Sequence, residues 1–400
     1  MWHKHSNIHW FVFLLFAGLL AAVLADQIRV DFNVSFGQKP APDFRGGRVG
    51  EAEDRILVKF RPSAGAAGRA EVLGRHGLRE IAEIKPIGVR FVAIPVTHTP
   101  QEVVDRLAAR ERAEVEFAEV DAVIAPAVTP NDPYYQNQWA HPKTGAPQAW
   151  DYTTGSLGLV IGIADTGVNC AHEDLAGKCV PGWNFYNNNS DTQDRHGHGT
   201  KVAGVAAAVG NNAKGVAGLG WQIGVMPLRV TDDLGYASYS RVADALVFAA
   251  DRGVKVVNNS FTTYNSFTVA EAARYLRSKG GLFVASMGNS GYRHIDPIFD
   301  PNFPESIGVS ATDPNDLLAS WSDYGIPVDF SAPGSNYTTT SSGGYASFSG
   351  TSVSAPEVSG AFMLLFSVNS SLTPDEAESF LKNTARDLGA PGWDEAYGWG

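Results

Sequence analysis

Between Leu159 and Ala332, short runs of β-branched and other apolar residues alternate with longer stretches of helical period, and this alternation narrows the fold more than any other feature. LVIGIA (Leu159 to Ala164) precedes a small-residue helix from Gly199 to Val209. IGVMPLRV (Ile223 to Val230) precedes a helix from Ser240 to Arg252, and VKVVNNS (Val254 to Ser260) one from Thr268 to Lys279. LFVAS (Leu282 to Ser286), IGVSA (Ile307 to Ala311) and VDFSA (Val328 to Ala332) continue the series. Strands apolar on both faces and separated by helices belong in a parallel sheet covered on both sides. The expected class is therefore α/β, a doubly wound, mostly parallel sheet.

A different pattern precedes it. ILVKF (Ile56 to Phe60) reads as a strand, Ala66 to His76 as a helix, and REIAEIKPIG and VRFVAIPV as two further strands; PQEVVDRLAARE (Pro100 to Glu111) is amphipathic and VEFAEVDAVI (Val115 to Ile124) closes the set. The order βαββαβ predicts a small α+β, ferredoxin-like unit. After Ala127, VTPNDPYYQNQW has turn residues and no regular period, which marks a domain junction.

At the amino terminus, Lys4 is followed by FVFLLFAGLLAAVL (Phe11 to Leu24), with small residues Val23 and Ala25 spaced for signal-peptidase cleavage. This reads as a secretory signal peptide over 1–25, too short for the roughly 20 apolar residues of a membrane span, with an uncleaved anchor as the alternative. Residues 26–50, containing GQKPAPDFRGGRVG, read as a flexible linker. A net charge of -11 gives no electrostatic footprint for nucleic acid. The only two cysteines, Cys170 and Cys179, either pair in an oxidising compartment or remain two buried thiols.

Three residues carry the candidate chemistry. Asp165 follows LVIGIA in the turn DTG, at the strand end where open parallel sheets build sites, although strand-end aspartates are also caps and turn residues. His198 lies in DRHGHGTKVAG between Gly197 and Gly199, where missing side chains allow close approach to the imidazole. His196, two residues away, is the rival for a base role, but only His198 is followed by the GT that opens the helix; the two share no helix face, which disfavours a metal pair. Ser352 sits in SFSGTSVSAP (residues 347–356), a small-residue turn before the apolar run Val358 to Val368, and is either a helix cap or a nucleophile. An α/β-hydrolase would require GxSxG, and GTSVS lacks its second glycine.

The order Asp165, His198, Ser352 resembles the subtilisin-like serine peptidases. DTGVNCAHEDL resembles that family's aspartate motif, HGHGTKVAG its histidine motif and SGTSVSAPEVSG its serine motif; TPNDPYY, APQAWD and DLAGK resemble its thermitase branch. The resemblance covers about residues 129–399, and the preceding βαββαβ unit resembles an inhibitory propeptide. It implies a signal peptide (1–25), a linker (26–50), a propeptide domain (51–128) and a peptidase domain (129–400).

What the resemblance implies is specific. It describes a secreted, monomeric serine endopeptidase acting on proteins or peptides, with its own propeptide as intramolecular inhibitor and no membrane contact once the signal is removed. His198 takes the proton of Ser352, Asp165 orients His198, and Asn289 in ASMGNSG joins the Ser352 N–H as oxyanion donor. Pro356 is placed in the first turn of the serine helix, where no backbone donor is lost.

The substrate-pairing segment corresponds to Ser260, Phe261, Thr262 and Thr263, where two threonines replace glycines, with Gly235, Tyr236 and Ala237 as the opposite wall. Other departures are Lys201 and Glu357, each for histidine, and Val353 for methionine. Calcium is implied at Asp132, Asp174 and Asn212 with the carbonyls of Val209, Lys214 and Val216. A second family site, over Asn184 to Asp194, has asparagines where carboxylates are expected and should bind poorly.

Propeptide cleavage is expected between Ala122 and Thr129, and the family continues beyond the AYGWG at which this chain ends. Of the sequons, Asn258-Asn259-Ser260 falls in a buried strand, and Asn336-Tyr337-Thr338 matters only in a glycosylating host. The competing readings are a non-catalytic binding protein that kept the fold, for which Thr262 and Thr263 speak, and a lipase-like esterase, which needs a different nucleophile turn.

Overall fold

The computed structural model describes residues 48–124, 128–263, 265–295 and 305–400. The signal peptide, most of the linker and the centre of the expected cleavage segment lie outside these residues.

The amino-terminal unit runs β1 (Arg48–Phe60), α1 (Gly65–Arg75), β2 (Arg79–Ile84), β3 (Val89–Ala93), α2 (Pro100–Arg110) and β4 (Val115–Ile124). Its strands form an antiparallel sheet in the order β2-β3-β1-β4, the ferredoxin-like arrangement. Period-two alternation on β1 turns Ile56, Val58 and Phe60 inward against Val72, Val103 and Leu107 from the two helices. α2 starts at Thr99 because a reciprocal cap satisfies its first amides: Thr99 Oγ1 accepts from Glu102 N (3.3 Å), and Glu102 Oε2 accepts from Thr99 N (2.9 Å). β1 begins at Arg48, inside the stretch read as linker, because its first residue is paired with Ile124 of β4.

The large unit is built on a seven-stranded parallel sheet. Its strands are β5 (Val160–Asp165), β6 (Trp183–Asn184), β7 (Gly224–Arg229), β8 (Val256–Asn259), β9 (Leu282–Ser286), β11 (Ser306–Thr312) and β13 (Phe330–Pro333), in the order β13-β11-β9-β8-β5-β7-β6. β10 (Arg293–His294) and β12 (Tyr324–Gly325) form a small side ladder, and β14 (Ser335–Thr339) and β15 (Tyr345–Ser349) a hairpin. Helices α3 (His198–Ala207), α4 (Tyr239–Ala250), α5 (Phe267–Ser278), α6 (Thr351–Val368) and α7 (Pro374–Thr384) cover the sheet.

Alternate residues of each strand feed the two faces. Ile161, Ile163, Val256 and Val284 pack against Val202 and Ala206 of α3 and Phe362 and Met363 of α6. Ala164, Leu228, Val257 and Phe283 pack against Val242 and Leu246 of α4 and Val269 and Leu276 of α5. The sheet is therefore doubly wound. Its order grows in both directions from β5, so the carboxyl ends of β5 and β8 border the topological switch point where such sheets open a crevice.

Two local readings need correction. The small-residue segment before Val358 is not a turn preceding the helix: α6 starts at Thr351, which makes Ser352 its second residue. Pro356 is consequently inside α6 rather than in its first turn. Lacking an N–H, it cannot bond the carbonyl of Ser352, and that carbonyl accepts from Ser260 Oγ instead (3.3 Å).

Candidate active site

Asp165 ends β5 and is completely buried. Its Oδ1 accepts from the Thr166 amide (2.7 Å) and from His198 Nδ1 (2.7 Å), while Oδ2 is buried with no hydrogen-bond partner among the described residues. The charge of the carboxylate is thus answered largely through the imidazole. Burial pushes the His198 pKa down, but the Asp165 carboxylate outweighs it and holds the group above its ordinary value. With Nδ1–H directed at Asp165, Nε2 is the basic nitrogen.

His198 is the first residue of α3, and glycines make that position attainable. Gly197 takes a left-handed φ of 99°, and a β-carbon at Gly199 would lie 2.2 Å from the Gly167 carbonyl oxygen and 3.1 Å from Asp165 Oδ1. The rings of Phe261 and Phe348 stand 5.9 and 5.4 Å from the imidazole.

Sequence reasoning passed over the residue that organises this turn. Asp194 is buried and accepts five hydrogen bonds, from the amides of His196 (3.1 Å), Gly197 (2.6 Å) and Thr200 (2.9 Å) and the hydroxyls of Thr166 (2.8 Å) and Thr200 (2.6 Å). Thr166 Oγ1 in turn accepts from the Gly199 amide (2.8 Å), tying the aspartate loop to the histidine helix. An acidic side chain one turn ahead of a helix start was the available signal.

Ser352 is nearly buried, and its Oγ donates to the Ser260 carbonyl (3.4 Å); among the described residues no hydrogen bond joins it to His198. Its N–H is among the first amides of α6 and so has no intrahelical acceptor. Asn289, on the loop after β9, is oriented by Thr351, whose amide (2.8 Å) and hydroxyl (3.1 Å) both contact Oδ1. A β-carbon at Gly350, where φ is 135°, would lie 3.4 Å from Asn289 Nδ2 and 3.6 Å from Ser352 N. The two donors therefore border one small space, which the glycine leaves open.

The substrate-segment residues flank this centre. Phe261 and Thr262 continue from Ser260 beyond the end of β8, and Asn259 Nδ2 donates to the Phe261 carbonyl (2.9 Å). Gly235, with a φ of 88°, approaches His196: its β-carbon would be 3.1 Å from Nε2. Asp232 Oδ1 accepts from the Tyr236 amide (2.9 Å), leaving the Tyr236 ring exposed, and Ala237 pairs with Thr231.

Asp132 and Asp174 are buried near one another, and burial followed by the Asp174 charge raises the Asp132 pKa. Asp132 accepts from the amides of Asn211 (2.6 Å) and Asn212 (3.2 Å), and Asp174 from Val216 N (3.0 Å) and Asn212 Nδ2 (2.9 Å). The carbonyls of Val209, Lys214 and Val216 accept no hydrogen bond from another described residue. Two buried carboxylates near one another supply oxygen donors of the kind a hard cation takes, and among the described residues no third acidic or imidazole side chain joins them. In the other loop, Asp191 is instead neutralised by Arg195 (2.7 Å), and Asn184 Oδ1 is filled by the amides of Tyr186 and Asn187 (both 3.0 Å).

Cys170 and Cys179 form a disulfide. The two sequons named above are buried: Asn336 Nδ2 donates to Glu357 Oε1 (2.8 Å), and Asn258 and Asn259 lie in β8.

Residues 156–400 match the subtilase family, Peptidase S8, and residues 49–121 match the fervidolysin N-terminal prodomain. The chain is 42% identical to thermitase of Thermoactinomyces vulgaris over 267 residues, covering 66% of this chain and 94% of the relative. It is 37% identical to a thermophilic serine proteinase of Bacillus sp. (strain AK1) over 319 residues, 79% and 78% of the two chains. Among solved structures, sphericase superposes with a TM-score of 0.59 at 31% identity, over 66% of this chain and 97% of that one. Fold and site together define a serine endopeptidase. The chain belongs to the subtilase family and carries an N-terminal prodomain.

Proposed function

We propose that this subtilase cleaves peptide bonds with Ser352 as nucleophile, His198 as general base and acid, and Asp165 as the group that fixes the imidazole tautomer and stabilises its cation. The observation that carries the reading is the 2.7 Å bond between His198 Nδ1 and the buried Asp165 Oδ1, which leaves Nε2 to serve the serine. Ser352 Oγ leaves its long bond to the Ser260 carbonyl, gives its proton to His198 Nε2 and attacks the substrate carbonyl carbon. The oxygen of the tetrahedral intermediate takes bonds from Asn289 Nδ2 and Ser352 N–H. Collapse expels the amine, protonated by His198, and leaves an acyl-Ser352 ester. Water activated by the same histidine then releases the acid.

The prodomain is proposed to inhibit the enzyme until the chain is cut between Ala122 and Thr129, and Phe11 to Leu24 to direct export. Asp132, Asp174 and Asn212, with the carbonyls of Val209, Lys214 and Val216, would hold a calcium ion that stabilises the fold and supplies no chemistry to the reaction. The Asn212 amide would turn to present its oxygen.

The test is covalent labelling. Diisopropyl fluorophosphate should modify Ser352 of the matured protein, and Ser352→Ala should leave the full-length precursor uncut. An unlabelled but folded protein would favour a binding role instead.

A further inference from the structure

The two threonines that follow Phe261 do different things. Thr263 is buried, and its Oγ1 accepts from Asn259 Nδ2 (3.3 Å), so it belongs to the interior of the loop. Thr262 is exposed, and its Oγ1 donates to the carbonyl of Met287 on the wall formed by the loop after β9 (3.5 Å). The next residue on that wall, Gly288, has a φ of 115°, and a β-carbon there would lie 3.2 Å from Thr262 Oγ1 and 2.4 Å from Asp323 Oδ2. Asp323 cannot easily recede, because it accepts from the amides of Ser290 (2.7 Å) and Tyr292 (3.0 Å) and contacts His294 Nε2 (3.2 Å).

Both walls are anchored to the reacting centre. Ser260 is bonded to Ser352, and Asn289, next to Gly288, is bonded to Thr351. A carbonyl carbon attacked by Ser352 Oγ, with its oxygen at Asn289 Nδ2, carries its own Cα one bond away. On this reading the side chain on that Cα enters between Thr262 and Gly288.

We propose that Thr262, bridging to the Met287 carbonyl beside Gly288, restricts the substrate residue whose carbonyl is attacked to small side chains: glycine, alanine or serine. The proposal rests on the role of Ser352 given above. Aromatic and long aliphatic side chains would need the volume that the threonine hydroxyl and methyl fill.

The test compares matured enzyme on internally quenched peptides that differ only in that residue, alanine against leucine and phenylalanine. The wild type should prefer alanine over phenylalanine in kcat/KM by at least about tenfold, the discrimination a restricted pocket supplies. Thr262→Gly should shrink that ratio by about tenfold or more through a gain on phenylalanine. Thr262→Ala, which removes the hydroxyl and methyl, should shrink the ratio in the same direction and serves as a second variant if the glycine form fails to mature. Phenylalanine cleaved as well as alanine by the wild type, or an unchanged ratio in Thr262→Gly, overturns the proposal. Titration with diisopropyl fluorophosphate separates the failures: full titration with a flat profile removes only the role of Thr262, whereas no titration removes the serine reading beneath it as well.

Discussion

Ser260 and Ser352 each donate a hydroxyl to the other's backbone carbonyl, at 3.3 Å from Ser260 Oγ and 3.4 Å from Ser352 Oγ. The first bond exists because Pro356 cannot supply the helical N–H. Ser260→Ala leaves the Ser352 carbonyl without a donor, worth about 1 kcal/mol. A fall of roughly 2- to 10-fold in kcat, with little change in KM, is expected. An unaltered rate of inactivation by diisopropyl fluorophosphate would show that the bond does not position the nucleophile.

Asn289 is oriented through Oδ1 by Thr351, so its Nδ2 is committed to one direction. Asn289→Ala should lower kcat by about 10²–10³ while leaving KM near its original value, because the donor acts on charge that develops only in the transition state. Steady-state kinetics on a peptide amide decides this, and a change confined to KM would contradict it.

As the proposed general base, His198 works only when neutral, and Asp165 holds its pKa above 6.5. The acidic limb of the pH dependence of kcat/KM should therefore have its midpoint above that value, with activity lost as pH falls through it. In Asp165→Asn, burial remains and the carboxylate does not, so the midpoint should move down while the rate falls by about 10⁴. A midpoint at or below 6.5 in the parent enzyme would refute this electrostatic account.

Glu357, where the family resemblance implied histidine, faces His141 across 3.7 Å, and both are fully buried. His141 Nε2 meets the Ala217 carbonyl (2.9 Å), which leaves Nδ1 opposite Glu357 Oε2, and neither atom has a hydrogen-bond partner among the described residues. Burial raises Glu357 from 4.5 to about 8 and lowers His141 from 6.5 to about 4. The unfolded chain loses the Glu proton above 4.5 and gains the His proton below 6.5, so the two slopes cancel between those values. Above 6.5 only the Glu357 slope remains, and stability should fall by roughly 2 kcal/mol toward pH 8. Denaturant titrations should show this decline between pH 6.5 and 8 in the parent and a flat profile over that window in Glu357→Gln, whose stability should instead rise from pH 5 to 6.5 on the uncompensated His141 slope. Identical slopes would assign the pH dependence elsewhere.

Removing calcium should lower the thermal midpoint, since an ion present at a hundred times its dissociation constant stabilises by about 2.7 kcal/mol. Asp174→Asn should abolish the difference between calcium and chelator, whereas Arg195→Ala should preserve it, the Asp191 loop being neutralised internally. A calcium response undiminished in Asp174→Asn would move the ion to another site.

The doubly wound sheet was legible in the sequence because strands buried on both faces must be apolar throughout, as at Ile161 to Ala164, and helices between them must be amphipathic or small. The ferredoxin-like unit was legible for a different reason, the period-two alternation of strands with one buried face, as at Ile56, Val58 and Phe60, with the Thr99 and Glu102 cap setting the start of α2. Motifs around Asp165, His198 and Ser352 nominated the proposed reacting groups, since each is surrounded by glycine and small residues that close approach demands. Other features depended on long-range proximity. Nothing local in Pro356 says that a serine 96 residues earlier will serve the carbonyl it abandons. Nor does Glu357 alone announce a buried partner at His141, or Thr262 a bridge to Met287. Those contacts were decided by tertiary packing, which brings β8, the loop after β9 and α6 to one crevice and leaves each buried polar group to find its partner there.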